Sequence, residues 1–88
     1  MSLNLERDMI VKHALTISRT CPVDDAHDIY DVFVETARTV KVEDILAAAA
    51  ALPDRIYQEE LTTILAAKLN CTVTTIGFHK GVKTICRV

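Results

Sequence analysis

The sequence predicts a mainly α fold, in which a single domain (1–88) contains four helices and a C-terminal segment that is either helical or a β-hairpin. A chain of 88 residues has room for one domain. Apolar side chains recur at helical spacing from residue 5 to residue 69, whereas β-branched side chains are concentrated after residue 71. Half of the residues are apolar and a quarter are charged, which is typical of a globular protein and excludes disordered and collagen-like chains.

The first two predicted helices cover the N-terminal half. The first runs from Ser2 or Leu3 to about Arg19, and the second follows an N-cap at Asp24 or Asp25 and ends near Thr39. At 100° per residue, the apolar face of the second helix consists of Ala26, Ile29, Tyr30, Phe33, Val34 and Ala37. Its opposite face carries Asp24, Asp28, Asp31 and Glu35. We expect that acidic face to be solvated.

The third and fourth predicted helices are separated by a proline. An apolar stripe from Val42 to Leu52 predicts a short third helix that Pro53 ends. Asp54 is the predicted N-cap of the fourth helix, which ends near Leu69 or Asn70.

The last 18 residues allow two interpretations. The β-branched run Thr72–Ile76 disfavours a helix, and residues 82–88 are typical of a strand. The sequence His79-Lys80-Gly81 suits the loop of a hairpin. A second helix over residues 72–79 is the alternative, because of a motif described next.

The segment LAAKLNCTVTTIGFH resembles the two-helix unit of helix-turn-helix regulators of the phage Cro and repressor type. Ala66 occupies the position of the small residue at the helix crossing, Asn70 that of the glycine with positive φ, and Ile76 that of the branched residue that locks the helices together. Gly77 and Phe78 depart from the pattern, because recognition helices present polar residues there. The resemblance implies a helix-turn-helix or winged-helix unit within residues 54–88.

The charge distribution agrees with an anionic partner at the C-terminal end. Residues 61–88 have four basic side chains and no acidic one, whereas residues 24–60 have ten acidic side chains against three basic ones. We therefore expect a small DNA-binding transcriptional regulator, a dimer of which would place two basic ends on successive grooves. The expected base-reading residues are Thr72, Thr74, Thr75 and His79, and the expected phosphate contacts are Lys68, Lys80, Lys83 and Arg87.

The alternative function is a protein–protein interaction module, an adaptor or inhibitor, that uses the acidic face of the second helix or the C-terminal hairpin. The −7 charge of residues 24–60 favours this alternative, because DNA would repel that block.

Several classes of site are not expected. The serines have no nucleophile elbow around them, Cys71 and His79 have no recognised catalytic spacing, and so small a chain offers little room for a cleft, so we expect no enzyme. No Cys-x-x-Cys pair suggests a metal, and two glycines exclude a glycine-rich phosphate loop, so we expect no cofactor. Without an export signal we expect a cytoplasmic protein in which Cys21, Cys71 and Cys86 form no disulfide, and in which no segment crosses a membrane.

Overall fold

The structure, a computed structural model, describes residues 9–88 as an α+β fold. The elements in chain order are β1 (Val11–Thr20), β2 (His27–Thr36), α1 (Val42–Ala50), α2 (Gln58–Leu69), β3 (Thr72–His79) and β4 (Val82–Arg87). The strands form one antiparallel sheet in the order β1-β2-β3-β4, and the helical pair is inserted between β2 and β3. The prediction of a mainly α, four-helix domain is therefore wrong.

The first two predicted helices are strands in the described part of the chain, and residues 2–8 of the first lie outside it. In β2 the side chains of Tyr30, Val32 and Val34 alternate on the buried face, whereas Ile29 and Phe33 lie on the opposite face. The same residues fit a helical spacing because both faces of the strand carry apolar side chains. Pairing with β1 and β3 on either side then satisfies the backbone of β2.

The C-terminal segment is a β-hairpin, which was one of the two structures expected for it. β3 and β4 pair through a two-residue turn, in which Lys80 (φ 51°) and Gly81 (φ 83°) both have positive φ. The predicted helix-turn-helix unit in residues 54–88 is wrong, because only its first helix exists and Thr72–His79 is extended. The β-branched run is thus a strand in the sheet, paired with β2 and β4.

The two helices lie within the segments predicted as the third and fourth helices, but the N-cap of α2 is Tyr57 and not the predicted Asp54. α1 ends at Ala50, shortly before Pro53, and α2 ends at Leu69, followed by the C-cap Asn70, whose φ of 51° is left-handed. The positive φ inferred for Asn70 is correct, but it ends a helix before a strand and does not join two helices.

The hydrophobic core lies between the helices and one face of the sheet. Leu61 and Leu65 of α2 pack with Val32, Val34 and Val73 of the sheet, and each of these side chains is at most 2% exposed. Two buried hydroxyls in this core are hydrogen-bonded: those of Thr62 and Thr75 are 2.7 Å apart, and Thr62 also donates to the Gln58 carbonyl. The register of α2 on the sheet is therefore fixed by both apolar packing and hydrogen bonds.

The opposite face of the sheet is not covered by any described element. It exposes apolar side chains on three strands, among them Ile29, Phe78 and Ile85, each about 60% exposed. No helix among residues 9–88 is long and apolar enough to cross a membrane.

Candidate functional site

The β1–β2 turn, the connection between α1 and α2, and the end of β3 meet at one end of the sheet. Thr20, the last residue of β1, forms a parallel bridge with Arg55: its N–H donates to the Asp54 carbonyl (2.8 Å), and its carbonyl accepts from the Ile56 N–H (3.3 Å). The Thr20 hydroxyl donates to the Asp54 carboxylate (2.9 Å), and Arg55 forms an exposed ion pair with Asp25. These contacts hold the β1–β2 turn against the connection that leads into α2.

A cleft of about 290 Å³ lies at this junction. Its volume is near the lower end of the range for small-molecule sites, and its lining combines aromatic, polar and charged side chains. The residues that line it are Cys21, Pro22, Val23, Asp24, Asp28, Tyr30, Ile56, Tyr57, Gln58, Glu59, His79 and Lys80. The expectation that so small a chain offers little room for a cleft is wrong.

Cys21, Asp28 and His79 form a compact group in this cleft. They come from the turn after β1, the start of β2 and the end of β3. One ligand atom of each lies within 4.8 Å of the other two, and His79 Nδ1 is 3.3 Å from an Asp28 carboxylate oxygen. Cys21 and Asp28 are 7% exposed, and the His79 side chain is 36% exposed. The group therefore combines a thiol, a carboxylate and an imidazole, which are a nucleophile and two proton carriers.

Tyr30 contacts both Asp28 and His79 of this group. Its hydroxyl donates to the same Asp28 oxygen at 3.3 Å, and its ring centroid lies 6.2 Å from that of His79. Burial raises the pKa of Tyr30 well above its usual range, and the Asp28 charge raises it further. The phenol therefore remains protonated and continues to donate to Asp28 throughout the neutral range.

The β1–β2 turn positions the thiol. The Cys21 N–H donates to the Ala26 carbonyl (2.8 Å), and the Asp25 N–H donates to the Cys21 carbonyl (3.0 Å). The Asp24 carboxylate accepts from the Ala26 N–H (3.1 Å). That hydrogen bond is the largest cause of a lowered pKa of Asp24, and a hydrogen bond from the Cys21 thiol is the next. The Asp24 carboxylate therefore helps to hold the Cys21 side chain in place as a hydrogen-bond acceptor.

The first turn of α2 forms the other wall of the cleft. The Gln58 amide nitrogen lies within 3.0–3.2 Å of the Thr75 carbonyl, the Thr75 hydroxyl and the Thr84 carbonyl. Among the described residues its amide oxygen has no hydrogen-bond partner. Because Gln58 is clamped to the sheet, its neighbours Tyr57 and Glu59 are held at the cleft with a fixed spacing. Tyr57 is half exposed, so its ring is available to a ligand.

The residues predicted to contact DNA do not form one surface. Thr75 is fully buried against Thr62, so the prediction that it reads bases is wrong. Lys68 lies on α2, and Lys80 lies in the β3–β4 turn. The remaining strand residues divide between two faces: Thr72, Thr74, Lys83 and Arg87 lie on the uncovered face, whereas His79 belongs to the cleft.

The acidic face predicted for the second helix does not exist either. Asp28 is buried in the cleft, Asp24 lies in the preceding turn, and Asp31 and Glu35 point to the uncovered face of β2. Positions 24, 28, 31 and 35 share a face only in a helix, because successive residues of a strand point to opposite faces.

Most of the cleft was not predicted from the sequence. Cys21 was expected only to form no disulfide, Asp28 was expected to be a solvated acid, and Tyr57, Gln58 and Glu59 were not named as site residues. Cys21 and Asp28 are seven positions apart and His79 is 51 positions beyond Asp28, so only strand pairing brings them together. A thiol directly before a Pro-x-Asp-Asp turn was the one local signal.

Comparisons with known proteins identify the fold. No family model matches the sequence, and no curated protein matches it. A solved structure does match: the crystal structure of the archaeosine synthase QueF-Like in the apo form superposes with a TM-score of 0.75 at 21% identity, over 90% of each chain. The chain therefore has the QueF-like fold.

This match corrects three predictions. The resemblance to helix-turn-helix regulators is not supported, and the predicted function of DNA-binding regulator is contradicted, because the segment expected as the second helix is a strand. The interaction module considered as the alternative loses the acidic helix face, because residues 27–36 are also a strand. The prediction that the chain is not an enzyme is also contradicted, because the fold is one that an enzyme uses.

Proposed function

We propose that this protein is an enzyme that modifies a heterocyclic base of tRNA, with Cys21 as its nucleophile. The observation that carries the proposal is the Cys21 thiol placed beside Asp28 and His79 in a cleft with an aromatic and acidic wall. The likeness in fold to an archaeosine synthase supports a reaction on a nucleoside. The cytoplasmic location expected from the sequence is part of this proposal, because a thiol nucleophile requires a reducing compartment.

The cleft fits one planar base better than an extended polymer. Tyr57 offers an exposed ring on which a base can stack. Glu59, one residue from the clamped Gln58, presents a carboxylate that can accept two parallel N–H groups, such as the adjacent ring and exocyclic N–H donors of a guanine-like edge. These contacts would aim a substituent of the base at Cys21.

The chemistry follows from the three grouped side chains. The Cys21 proton passes to the Asp28 carboxylate, and sulfur attacks an electrophilic carbon that is multiply bonded to a heteroatom. An S–C bond forms, the π electrons move to the heteroatom, and the heteroatom takes that same proton from Asp28, which His79 holds in place. Attack by a small nucleophile, water or ammonia, then breaks the S–C bond and returns the thiolate.

The test uses tRNA that lacks archaeosine but carries the precursor base. After incubation with the protein and ammonium, nucleosides released by digestion are measured by mass spectrometry, and acid-quenched protein is weighed for a covalent adduct. We expect a modified nucleoside and an adduct on the cleft cysteine. Cys21→Ser should lose both, at least 10³-fold in rate on the scale of a lost nucleophile.

Cys86→Ser is the matched control, because Cys86 lies on β4 outside the cleft. It should retain both the product and the adduct. Product formation by Cys21→Ser at the rate of the unchanged protein would overturn the proposal, as would an adduct that maps to Cys71 or Cys86.

A further inference from the structure

Cys21, Asp28 and His79 also have the composition and spacing of a metal site. The three side chains contribute sulfur, oxygen and nitrogen from three separate backbone segments, and the ligand atoms lie within 4.8 Å of one another. Nothing in the proposed chemistry requires a metal there. A metal ion could bind there without rearrangement of the fold if the ligand atoms already lie near the distances that the ion requires.

The measured distance between two of the ligand atoms matches a tetrahedral ion. Two ligands at about 2.05 Å from a tetrahedral Zn²⁺ are about 3.3 Å apart. His79 Nδ1 and the Asp28 oxygen are 3.3 Å apart. The thiol must approach to about 3.6 Å from each of them, since a Zn–S bond is about 2.3 Å. From separations of at most 4.8 Å this requires a shortening of about 1.2 Å or less, which the partly exposed His79 at the end of β3 can make.

Two features around the group favour binding of an ion: a hydrogen bond to the Asp28 carboxylate and the burial of two of the three side chains. Tyr30 donates to the Asp28 carboxylate and so fixes a ligand from behind, as outer-shell hydrogen bonds do in metal sites. Cys21 and Asp28 are more than nine-tenths buried, so little side-chain freedom is lost when they bind an ion. The cleft leaves a fourth position for water.

The donor set selects the type of ion. A thiolate with an imidazole and one carboxylate suits borderline-soft ions such as Zn²⁺ and Co²⁺, whereas Mg²⁺ and Ca²⁺ require mostly oxygen ligands. Binding would release the thiol proton to solvent and leave sulfur as a metal-bound thiolate. A thiolate that shares its charge with a metal ion is a weaker nucleophile toward carbon than a free thiolate, and it is held at the metal.

We propose that Cys21, Asp28 and His79 bind one Zn²⁺ per chain, and that the bound ion reversibly blocks the reactivity of the Cys21 thiol. The binding stands on geometry alone, whereas its consequence for catalysis rests on the proposed function.

Co²⁺ is the probe for the site, because thiolate-to-cobalt charge transfer and tetrahedral d–d bands report the ligands directly. Metal-free protein is titrated with Co²⁺ under reducing conditions, and Zn²⁺ is then added in competition. We expect one Co²⁺ per chain, a thiolate band, and displacement by Zn²⁺. Cys21→Ser should lose the thiolate band, and His79→Gln should weaken binding at least tenfold.

The matched controls are Cys86→Ser and His27→Gln, since both residues lie outside the group and His27 is an exposed strand residue. Both should bind Co²⁺ as the unchanged protein does. Far-ultraviolet circular dichroism identifies any variant that fails to fold. A thiolate band that survives in Cys21→Ser, or absence of a thiolate band at millimolar Co²⁺, would overturn the proposal.

A second measurement separates this proposal from the proposed function. Iodoacetamide labelling of Cys21, located by peptide mass spectrometry, should be slowed at least tenfold by equimolar Zn²⁺ and unaffected by Mg²⁺. Zinc protection without any modification of tRNA would leave the metal site standing and remove the enzyme. Modification of tRNA that Zn²⁺ leaves unchanged, without protection from labelling, would remove the metal site and leave the enzyme.

Discussion

Replacement of Gly77 by alanine tests the packing beneath the site. A Cβ atom at this position would lie 2.6 Å from Cδ1 and 2.7 Å from Cε1 of Tyr30, and 3.3 Å from the Gln58 amide oxygen. Ordinary carbon contacts begin near 3.5 Å, so the ring would have to move by about 1 Å. Tyr30 is 1% exposed, and its hydroxyl is hydrogen-bonded to Asp28, so the ring cannot shift without disturbing closely packed neighbours and that hydrogen bond.

We expect Gly77→Ala to lower the free energy of unfolding by about 1–3 kcal/mol, the usual cost of an overpacked core. With a urea m-value of about 1.5 kcal/mol per molar, a loss of about 2 kcal/mol lowers the unfolding midpoint by about 1.3 M. Equilibrium urea unfolding followed by circular dichroism measures both quantities. We expect the m-value to stay the same, because the substitution should change the compactness of neither the folded nor the unfolded state.

A double-mutant cycle assigns the cost to the Tyr30 ring. Tyr30→Phe keeps both clashing ring atoms, so Gly77→Ala should cost the same in that background to within about 0.5 kcal/mol. Tyr30→Leu removes the ring, so the alanine should cost at least about 1 kcal/mol less there. Equal costs in all three backgrounds, or a cost below about 0.5 kcal/mol in the unchanged protein, would refute the packing argument.

Three further predictions concern the left-handed cap, the thiols and the turn carboxylate. Asn70→Ala should lower the free energy of unfolding by about 1–2 kcal/mol because Asn70 has a φ of 51°, whereas Asn70→Gly should not lower it; equal losses in urea unfolding would contradict this. Thiol titration of the denatured, non-reduced protein should find three free groups, since Cys21, Cys71 and Cys86 are all unbridged, and a count of one would be decisive against it. The lowered pKa of Asp24 stabilises the fold above the ordinary carboxylate pKa near 4, and this contribution is lost as the pH falls through the lowered value. The stability difference between the unchanged protein and Asp24→Asn should therefore shrink below about pH 4, and a difference that grows with acid would show the opposite sign.

The local features that the sequence determined correctly depend on short-range chemistry. Pro53 separates the two helices, and Asn70 adopts the left-handed conformation that its side chain tolerates. Lys80 and Gly81 form the turn of a hairpin that β-branched residues favour on both sides. Each of these outcomes is decided by the conformational preferences of a few consecutive residues.

The N-terminal half shows where the sequence was ambiguous. In β2, apolar residues at 29, 30, 33 and 34 satisfy a helical spacing, while Tyr30, Val32 and Val34 satisfy a strand spacing. The strand forms because β1 and β3 flank it, and the helices cover only its inner face, so Ile29 and Phe33 remain on the other side. Partners distant in sequence decided between two patterns that were both present.

The candidate site was determined only by the tertiary structure. Cys21 and Asp28 face each other across one turn, but His79 reaches them because β3 pairs with β2 in a register that places it beside Asp28 and Tyr30. The sequence alone supplied the thiol, the carboxylate and the imidazole. The antiparallel pairing brought three residues with no recognisable spacing together in one cleft, where Cys21 and Asp28 are buried.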